Sequence, residues 1–476
     1  MAVRKKAISI IILISTVIVS FALISCRDVK PAGEPLDKRI VNKLYAYTTD
    51  LDDSAETLTD NAAIAEYLCS WAKSKSVDYT VTEQGNIIMT ADSSMKYYNA
   101  PPTVIVCPYD SLNLKNTFNT LAVAMYIIKN NEDTGKLNVI FTPAVGDDLS
   151  AASSLDSACF PDGCSIFTLS PAAKSLWSIN SGGYVSYSLT GAVATKAPSG
   201  ETAYTVTIDN IPAGIPDAKI SSVPNAIKTL GSMLASFKTN AQIFEVSSIA
   251  GGTNAGLYPS SASVTIVVSK DDAPKFKTYM DTEINGFIDT YSDDYPDISF
   301  SYAQTSLPET VFDENSQNSL ISALYSLING IYSMNDDGDV TAMTNIGTIS
   351  SSGTSFIIGA TGMGFGSYSM SNIDNDFSTI CAFSGITCTK AAEHDEWSED
   401  TAKLEDDGFI KAVTGAYKAY VGDSLRLESC VQPTVSYYIS KLTDADIMNV
   451  AISRDSMQDD TGAIITYLID RPHEDI

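Results

Sequence analysis

The sequence predicts an α/β domain, with a mostly parallel sheet in a three-layer arrangement, that is split by an inserted α+β domain. Three observations support this. Helical segments alternate with continuous apolar strands over residues 37–185. Residues 186–392 change to alternating strands mixed with amphipathic helices, which is typical of an antiparallel sheet with helices on one face. A helix and an apolar strand return over residues 393–476, so we predict that this segment completes the first domain.

The first part of the α/β domain begins with a helical region. Residues 37–76 carry apolar side chains at three- and four-residue spacing, and Asp60 is the predicted N-cap of a second helix. Residues 78–92 predict two strands with a turn near Gly85. "TVIVCPYD", residues 103–110, is typical of a strand buried on both faces, and it ends in the carboxylate of Asp110. A helix with Asn119 as its N-cap and a second buried strand, residues 136–148, are predicted next.

The inserted domain is predicted from alternating polar and apolar residues. Strands are expected at residues 184–196, 201–211, 243–252 and 261–270, and helices at residues 223–239, 273–294 and 318–334. "NDDGD", residues 335–339, is interpreted as a hairpin turn rather than a calcium loop. "GATGMGFGS", residues 359–367, is interpreted as a glycine-containing strand, since no lysine follows it as in a phosphate-binding loop.

Composition limits the partners of the chain. Acidic residues outnumber basic residues 57 to 30, which gives a formal net charge of -27. A field of this sign repels nucleic acids and anionic lipid surfaces, so we expect no nucleic-acid partner. Hydrophobic residues make up 44% of the chain, which is enough for complete cores.

The N-terminus predicts export. Arg4, Lys5 and Lys6 precede an apolar run over residues 7–25, directly before Cys26. The end of this run is similar to the lipobox of bacterial lipoproteins, in which the cysteine is diacylated and becomes the mature N-terminus. We predict a signal peptide at residues 1–25, lipidation of Cys26, a tether at residues 26–36 and a place in the bacterial cell envelope, anchored to the membrane. An uncleaved anchor is the alternative, because the apolar run could span a bilayer.

Cysteines and histidines restrict the possible metal sites. Cys159 and Cys164, and likewise Cys381 and Cys388, are close enough in sequence for local disulfides in an oxidising compartment, although the sequence does not decide the pairing. No CxxC pair occurs, which argues against a structural zinc site. The chain has only two histidines, which excludes an ordinary histidine-rich zinc site.

Several segments occur in an order that is typical of one enzyme family. "PPTVIVCPYDS", residues 101–111, is similar to a strand ending in a His-x-Asp motif, and "FNTLAVAMYII", residues 118–128, to the helix start that follows it. "LNVIFTPAVGDDLSAASSLD", residues 137–156, is similar to a segment with paired glutamates, and "IAGGTNAGLYPSSA", residues 249–262, to a lid loop. Over residues 35–460 the chain resembles the zinc-dependent exopeptidases of the aminoacylase and carboxypeptidase type, most closely the Xaa-His dipeptidases.

The resemblance implies a two-zinc site, a glutamate base acting on a metal-bound water, and a lid domain that often mediates dimerisation. Asp110 matches an aspartate that orients the first histidine ligand in the family. The metal-ligand positions of the family fall on residues without suitable side chains, namely Pro108, Phe118, Gly146 and Gly182. The remaining functional positions fall on or near Val145, Ile215, Gly256, Ser260, Gln432 and Asp459 or Asp460.

We therefore expect no ligand set for zinc, the cofactor of the family. The leading hypothesis is a lipid-anchored, catalytically inactive homologue of a zinc dipeptidase that binds a peptide, another ligand or a partner protein, with a homodimer through the lid implied by the resemblance. The second hypothesis is an active metal-dependent hydrolase whose site is rebuilt from Asp110, Asp147 and Asp148, which would hold calcium or magnesium weakly. The third is a purely structural surface protein, which a cleft packed shut would favour.

Overall fold

The structure is a computed structural model that describes residues 36–130, 134–146, 148–214, 216, 223–240, 243–402 and 408–470, with side chains from residue 39 onward. The predicted fold class is confirmed, because a domain with a parallel-containing sheet is interrupted by a domain with an antiparallel sheet. The predicted signal peptide and Cys26 lie outside the described residues. Within the described ranges, no helix is long and apolar enough to cross a membrane.

The first part of the α/β domain follows the predicted order of elements. Its elements are α1 (Leu36–Ser54), α2 (Asn61–Lys75), β1 (Asp78–Val81), β2 (Ile87–Ala91), β3 (Thr103–Tyr109), α3 (Leu114–Lys129), β4 (Leu137–Pro143), β5 (Ser165–Pro171), β6 (Leu176–Ser178) and β7 (Asn180–Ser181). Asp60 caps α2 as predicted, with its Oδ1 accepting the Ala63 N–H at 2.8 Å. The prediction of Asn119 as the N-cap of α3 is wrong. The helix begins at Leu114, four residues before Phe118, and the apolar spacing extends that far.

The inserted domain is built on one nine-stranded antiparallel sheet. Its elements are β8 (Gly183–Ala192), β9 (Thr195–Lys196), β10 (Thr202–Asp209), α4 (Ala226–Thr239), β11 (Glu245–Gly251), β12 (Ala262–Val268), α5 (Ala273–Tyr291), β13 (Ser299–Thr305), β14 (Val311–Phe312), α6 (Glu314–Ser326), β15 (Gly330–Met334), β16 (Val340–Ser351), β17 (Ser355–Gly364), α7 (Ser367–Ser384) and β18 (Thr387–His394). The strand order is β13-β10-β12-β11-β16-β17-β8-β18, with β15 paired to β16. One apolar cluster joins residues of this sheet with residues of its four helices.

One prediction for the insert needs correction, and two agree with the structure. The helix predicted over residues 318–334 ends at Ser326, because the following residues form β15 and pair with β16. The turn at residues 335–339 is the hairpin between these strands, as predicted, and Asn335 Oδ1 accepts the N–H groups of Asp337 and Asp339. The predicted glycine-containing strand is present as β17, which leads into α7 within an antiparallel sheet and not in a βαβ unit.

The chain then returns to the α/β domain through β19 (Trp397–Ser398), α8 (Phe409–Val421), α9 (Ser436–Ile439), β20 (Asp446–Ile452) and α10 (Met457–Ile469). The sheet of this domain has the order β1-β2-β4-β3-β5-β20-β6, and its four central strands are parallel. Apolar clusters cover both faces of this sheet, which produces three layers. The carboxyl ends of β3, β4, β5 and β20 meet at one edge, where open α/β sheets usually carry their ligand sites.

Candidate functional site

Asp110 directly follows β3, and its side chain is only 2% exposed. Its Oδ1 accepts the Leu112 N–H at 2.9 Å, and its Oδ2 accepts the Gly146 N–H at 2.8 Å. The carboxylate therefore joins the loop after β3 to the loop after β4. Both of its oxygens bind backbone groups, so in this structure Asp110 holds two loops together and orients no histidine.

The environment of Asp110 alters its acidity. Burial raises the pKa of the Asp110 carboxyl to about 6, while the hydrogen bonds from Leu112 and Gly146 act in the opposite direction. A buried carboxylate without a cationic partner is costly to ionise, since the low-dielectric surroundings disfavour the charge. Asp110 is thus a titratable group whose protonation changes between mildly acidic and neutral pH.

A cavity of about 30 Å³ lies beside Asp110. It is lined by Pro108, Asp110, Asn113, Thr117, Ala144, Gly146, Leu149, Ser170, Pro171, Gln432, Pro433, Thr434 and Val435. Asp110 is the one charged side chain among these residues. The volume suits about one water molecule and is far below the several hundred Å³ of a ligand pocket.

The inserted domain closes the cleft above this cavity. The Asn254 side chain lies against Gly146, and its Nδ2 donates to the Val145 carbonyl oxygen at 3.5 Å. On the other side, Gln432 Nε2 donates to the Pro216 carbonyl oxygen at 2.9 Å, and this bond is buried. The position that the resemblance assigned to a substrate-binding histidine therefore holds a glutamine whose amide binds the insert.

Two of the metal-ligand positions that the resemblance implies, Pro108 and Phe118, have no side-chain atom that can bind a metal. Pro108 lines the cavity, and its ring nitrogen has no free lone pair for a metal. Phe118 is buried in the apolar core and is not among the lining residues. Asn113 and Thr117, on the same face of the helical turn, line the cavity instead. This pair was not predicted from the sequence, because the predicted start of α3 lay too late in the chain.

The other two metal positions are glycines that neighbouring atoms enclose. A Cβ atom built on Gly182 would lie 2.2 Å from the Val431 carbonyl oxygen. A Cβ atom built on Gly146 would lie 2.4 Å from Asn254 Oδ1, and Gly146 has a φ of +67°, which side chains rarely adopt. At Gly182 the neighbouring atom is a backbone oxygen, which leaves no space for an aspartate or glutamate side chain. At Gly146 the neighbouring atoms belong to the end of the Asn254 side chain, and it is the positive φ that disfavours residues other than glycine.

The remaining acidic candidates are not brought together around the cavity. Asp147 lies outside the described residues, and Asp148 is exposed, with its Oδ1 accepting the Ser150 N–H at 2.9 Å. Asp460 is 1% exposed in the first turn of α10, where it accepts hydrogen bonds from Trp177 Nε1, Ser175 and Ser456. Burial raises the pKa of the Asp460 carboxyl to about 6. Asp460 thus anchors a helix terminus to β6.

The site does not fit the two-zinc centre of the dipeptidase family. Zinc requires three or four nitrogen, sulfur or oxygen ligands in a closed cage. Around the cavity, only Asp110 is an ionised ligand type, and both of its oxygens are engaged by backbone N–H groups. Across the part of the chain that the structure describes, no group of three or more His, Cys, Asp or Glu side chains is placed to hold a metal ion.

One polar group in the cavity has no protein partner. The Thr434 hydroxyl is buried and makes no hydrogen bond to any described residue. Since the adjacent cavity can hold about one water, we expect an ordered water that bridges Thr434 to another polar group of the wall.

The cysteines considered for disulfides are free thiols in the structure. Cys164 and Cys381 are buried, and Cys159 and Cys388 are half-buried. The structure places Cys381 and Cys388 within hydrogen-bonding reach of each other. For both pairs the oxidised state stays a prediction.

Comparisons with known proteins agree with this architecture. No family model and no curated protein matches the sequence. The aminoacylhistidine dipeptidase of Vibrio alginolyticus has a similar structure, with a TM-score of 0.56 and 15% identity over 91% of this chain and 98% of that chain. A tripeptidase from Staphylococcus aureus has a TM-score of 0.42 and 9% identity, over 91% of this chain and 98% of that chain. The chain therefore has the two-domain fold of this dipeptidase, and at this identity the similarity establishes the fold alone.

Proposed function

We propose that the protein is a catalytically inactive, lipid-anchored homologue of a zinc dipeptidase that acts by binding a partner at its outer surface. The observation that carries this proposal is the packing at Gly146 and Gly182. At both positions, atoms of Asn254 or Val431 occupy the space that a metal-ligating side chain would need. The replacement of ligands is thus accompanied by a repacked cleft.

The closed cleft favours a partner at the surface over a peptide in the cleft. A cavity of about 30 Å³ has no space for a dipeptide, because small-molecule sites usually enclose several hundred Å³. The hydrogen bonds of Asn254 and Gln432 would have to break before the insert could separate from the α/β domain. The bond between Gln432 and Pro216 is buried, and leaving its polar groups unpaired costs about 1–3 kcal/mol, which opposes opening.

An active hydrolase with a relocated acidic site is less well supported. It requires Asp110 and Asp148 to share a metal, but the first is buried beneath the cleft and the second is exposed in a turn. Each carboxylate already accepts a backbone N–H from its own loop. Asp147 lies outside the described residues and so adds no support to this alternative.

Metal analysis combined with an activity assay tests the inactive assignment. The protein without residues 1–25 is purified, incubated with zinc, dialysed, and analysed for bound metal and for hydrolysis of Xaa-His dipeptides. We expect substoichiometric zinc and no hydrolysis above background. About two tightly bound zinc ions per chain together with dipeptide hydrolysis would overturn the proposal.

A binding assay distinguishes a partner bound at the outer surface from a peptide bound in the cleft. Calorimetry with a set of dipeptides is expected to give no heat of binding, because the cleft is closed. A variant Asn254→Ala, which removes the side chain that covers Gly146, is the matched comparison. Dipeptide binding to the unmodified protein would show that the cleft opens and that the ligand-binding mode is correct.

The membrane anchor is tested separately. In a bacterial host, the full chain is expected to incorporate labelled fatty acid and to fractionate with membranes, whereas Cys26→Ala is expected to lose the label. Retention of the label by Cys26→Ala would contradict lipidation at this residue. A homodimer through the inserted domain, proposed from the resemblance, is checked by sedimentation of the purified protein.

A further inference from the structure

Helix α7 and edge strand β18 are joined by a tight turn that brings two cysteines together. Gly385, with a φ of +68°, ends the helix, and the Ile386 N–H donates to the Cys381 carbonyl oxygen at 2.9 Å. This pattern reverses the chain in the manner of a helix C-cap. As a result, β18 starts at Thr387 and runs back along the last turns of α7.

The two thiols meet at this junction. Cys381 is 1% exposed and belongs to the apolar core of the insert, and Cys388 is half-buried and packs against the same core. The Cys388 thiol is close enough to the Cys381 thiol and to the Ser378 hydroxyl, which lie one turn apart on α7, for each of them to alter its pKa. The sulfur atoms are thus neighbours in the folded protein before any oxidation.

We propose that Cys381 and Cys388 form a disulfide that fastens the edge strand β18 to α7, with Cys388 as the attacking thiol. β18 is the last strand of the nine-stranded sheet and pairs with β8 along one side only, so its other side lacks a strand partner among the described residues. An edge strand of this kind separates from its sheet more easily than a central strand. A covalent link to α7 holds it in place.

The two thiols have different surroundings, and this difference indicates which of them attacks the oxidant. Burial, together with a smaller contribution from the neighbouring Cys388, raises the pKa of the Cys381 thiol to about 12. Burial also raises the pKa of Cys388, and the carboxylate of Asp374 adds to the rise, but the hydrogen bonds from Cys381 and Ser378 and the charge of Lys390 oppose it. The more accessible Cys388 therefore loses its proton first and attacks, because the thiolate is the nucleophile in disulfide exchange.

The chemistry is balanced with glutathione disulfide as the oxidant. The Cys388 thiolate attacks one sulfur of glutathione disulfide, a protein–glutathione bond forms, and one glutathione thiolate leaves and takes up a proton. The Cys381 thiol then loses its proton and attacks the Cys388 sulfur, so that the second glutathione leaves. The protein loses two hydrogens, and one glutathione disulfide is reduced to two glutathione molecules.

The other candidate pair lacks this arrangement. The acidic neighbours of Cys164 are Asp446 and Asp162, and the acidic neighbour of Cys159 is Asp156. Burial raises the pKa of both thiols, and these carboxylates add to the rise, which disfavours the thiolate. Cys159 and Cys164 therefore serve as an internal control in the same molecule.

The folded protein, lacking residues 1–25, is treated with glutathione disulfide, and the remaining thiols are then blocked with an alkylating agent. The products are identified by peptide mass spectrometry. We expect a Cys381–Cys388 link and alkylated Cys159 and Cys164. The Cys381→Ser variant is expected to retain a glutathione adduct at Cys388, since the second attack is missing. The Cys388→Ser variant is expected to carry no adduct at Cys381, which is buried.

Stability provides a second measurement. For a closed loop of about eight residues, the link is expected to raise the ratio of folded to unfolded protein by roughly 50-fold, measured from the shift in urea midpoint between oxidised and reduced protein. Cys164→Ser is the matched control and should show the same shift as the parent. Free Cys381 and Cys388 thiols after treatment, or a Cys159–Cys164 link in their place, would overturn the proposal.

Discussion

The substitution Asp110→Asn most directly tests the interpretation of Asp110 as a buried, titratable group. Asp110 is buried and has no cationic partner among the described residues, and burial raises the pKa of its carboxyl from 3.8 to about 6. A carboxyl whose folded-state pKa lies above its unfolded value stabilises the folded state fully below the unfolded value. This contribution is lost as pH rises through the folded value. The asparagine variant has no ionisation at this position, so its stability lacks this dependence on pH.

The magnitude follows from the two pKa values. A rise from 3.8 to about 6 corresponds to about 3 kcal/mol of stability lost between acidic and neutral pH. Between pH 5 and pH 7.5 the same values give a loss of about 1.4 kcal/mol, because part of the change occurs below pH 5. The variant also places an amide nitrogen opposite a backbone N–H of Leu112 or Gly146. That mismatch costs about 1–3 kcal/mol and is the same at every pH.

The assay is urea unfolding, followed by tryptophan fluorescence, of the parent and the variant at several pH values from 5 to 7.5. We expect the stability difference between the two proteins to change by about 1.4 kcal/mol across this range in favour of the variant as pH rises. Other titrating groups, including His394, are common to both proteins and cancel in the difference. Asp148→Asn, which changes an exposed carboxylate, is expected to parallel the parent. Parallel pH curves for Asp110→Asn and the parent would refute the reasoning.

Three further predictions rest on single contacts. Gly182→Ala places a Cβ 2.2 Å from a carbonyl oxygen and is expected to lower the free energy of unfolding by at least about 2 kcal/mol. The control is Gly415→Ala, in the middle of α8 with no atom near the added Cβ, which should raise the free energy of unfolding by about 0.5–1 kcal/mol. Lys228→Met leaves three backbone carbonyl oxygens at the end of α6 without their donor. Urea unfolding should show that this variant loses about 1–3 kcal/mol of its free energy of unfolding. The control Lys238→Met, at an exposed position, should lose about 0.5 kcal/mol. Addition of EDTA should leave the thermal unfolding midpoint unchanged, since the described residues provide no metal-binding group; a fall of several degrees would contradict this.

Most secondary structure was predictable because local patterns decide it. The continuous apolar run that forms β3, the Asp60 cap and the turn at Gly85 all occur where the sequence placed them. The errors arose where two patterns compete. Residues 330–334 have helical spacing, but pairing with β16 makes them a strand. An apolar residue four positions before Phe118 extends α3 beyond the predicted cap.

The candidate site was only partly predictable. The sequence placed Asp110 at the end of a buried strand, and the structure locates it at the carboxyl edge of the parallel sheet. The partners of its carboxylate are backbone N–H groups of Leu112 and Gly146, and backbone groups carry no signature in the sequence. The cavity-lining Thr434 comes from a loop more than three hundred residues away, so that only the fold reveals it.

The sequence by itself determined the α/β domain with its α+β insertion, because the periodicity of apolar residues follows from the local geometry of helices and strands. It also determined that histidine ligands are scarce, since composition alone limits a histidine-rich zinc site. Only the tertiary structure decided that the cleft is closed, that Gly182 has no space for a side chain and that Asn254 lies against Gly146. The reason is physical: such packing depends on atoms of Asn254 and Val431, which are distant in the chain from these glycines and meet them only in the folded protein.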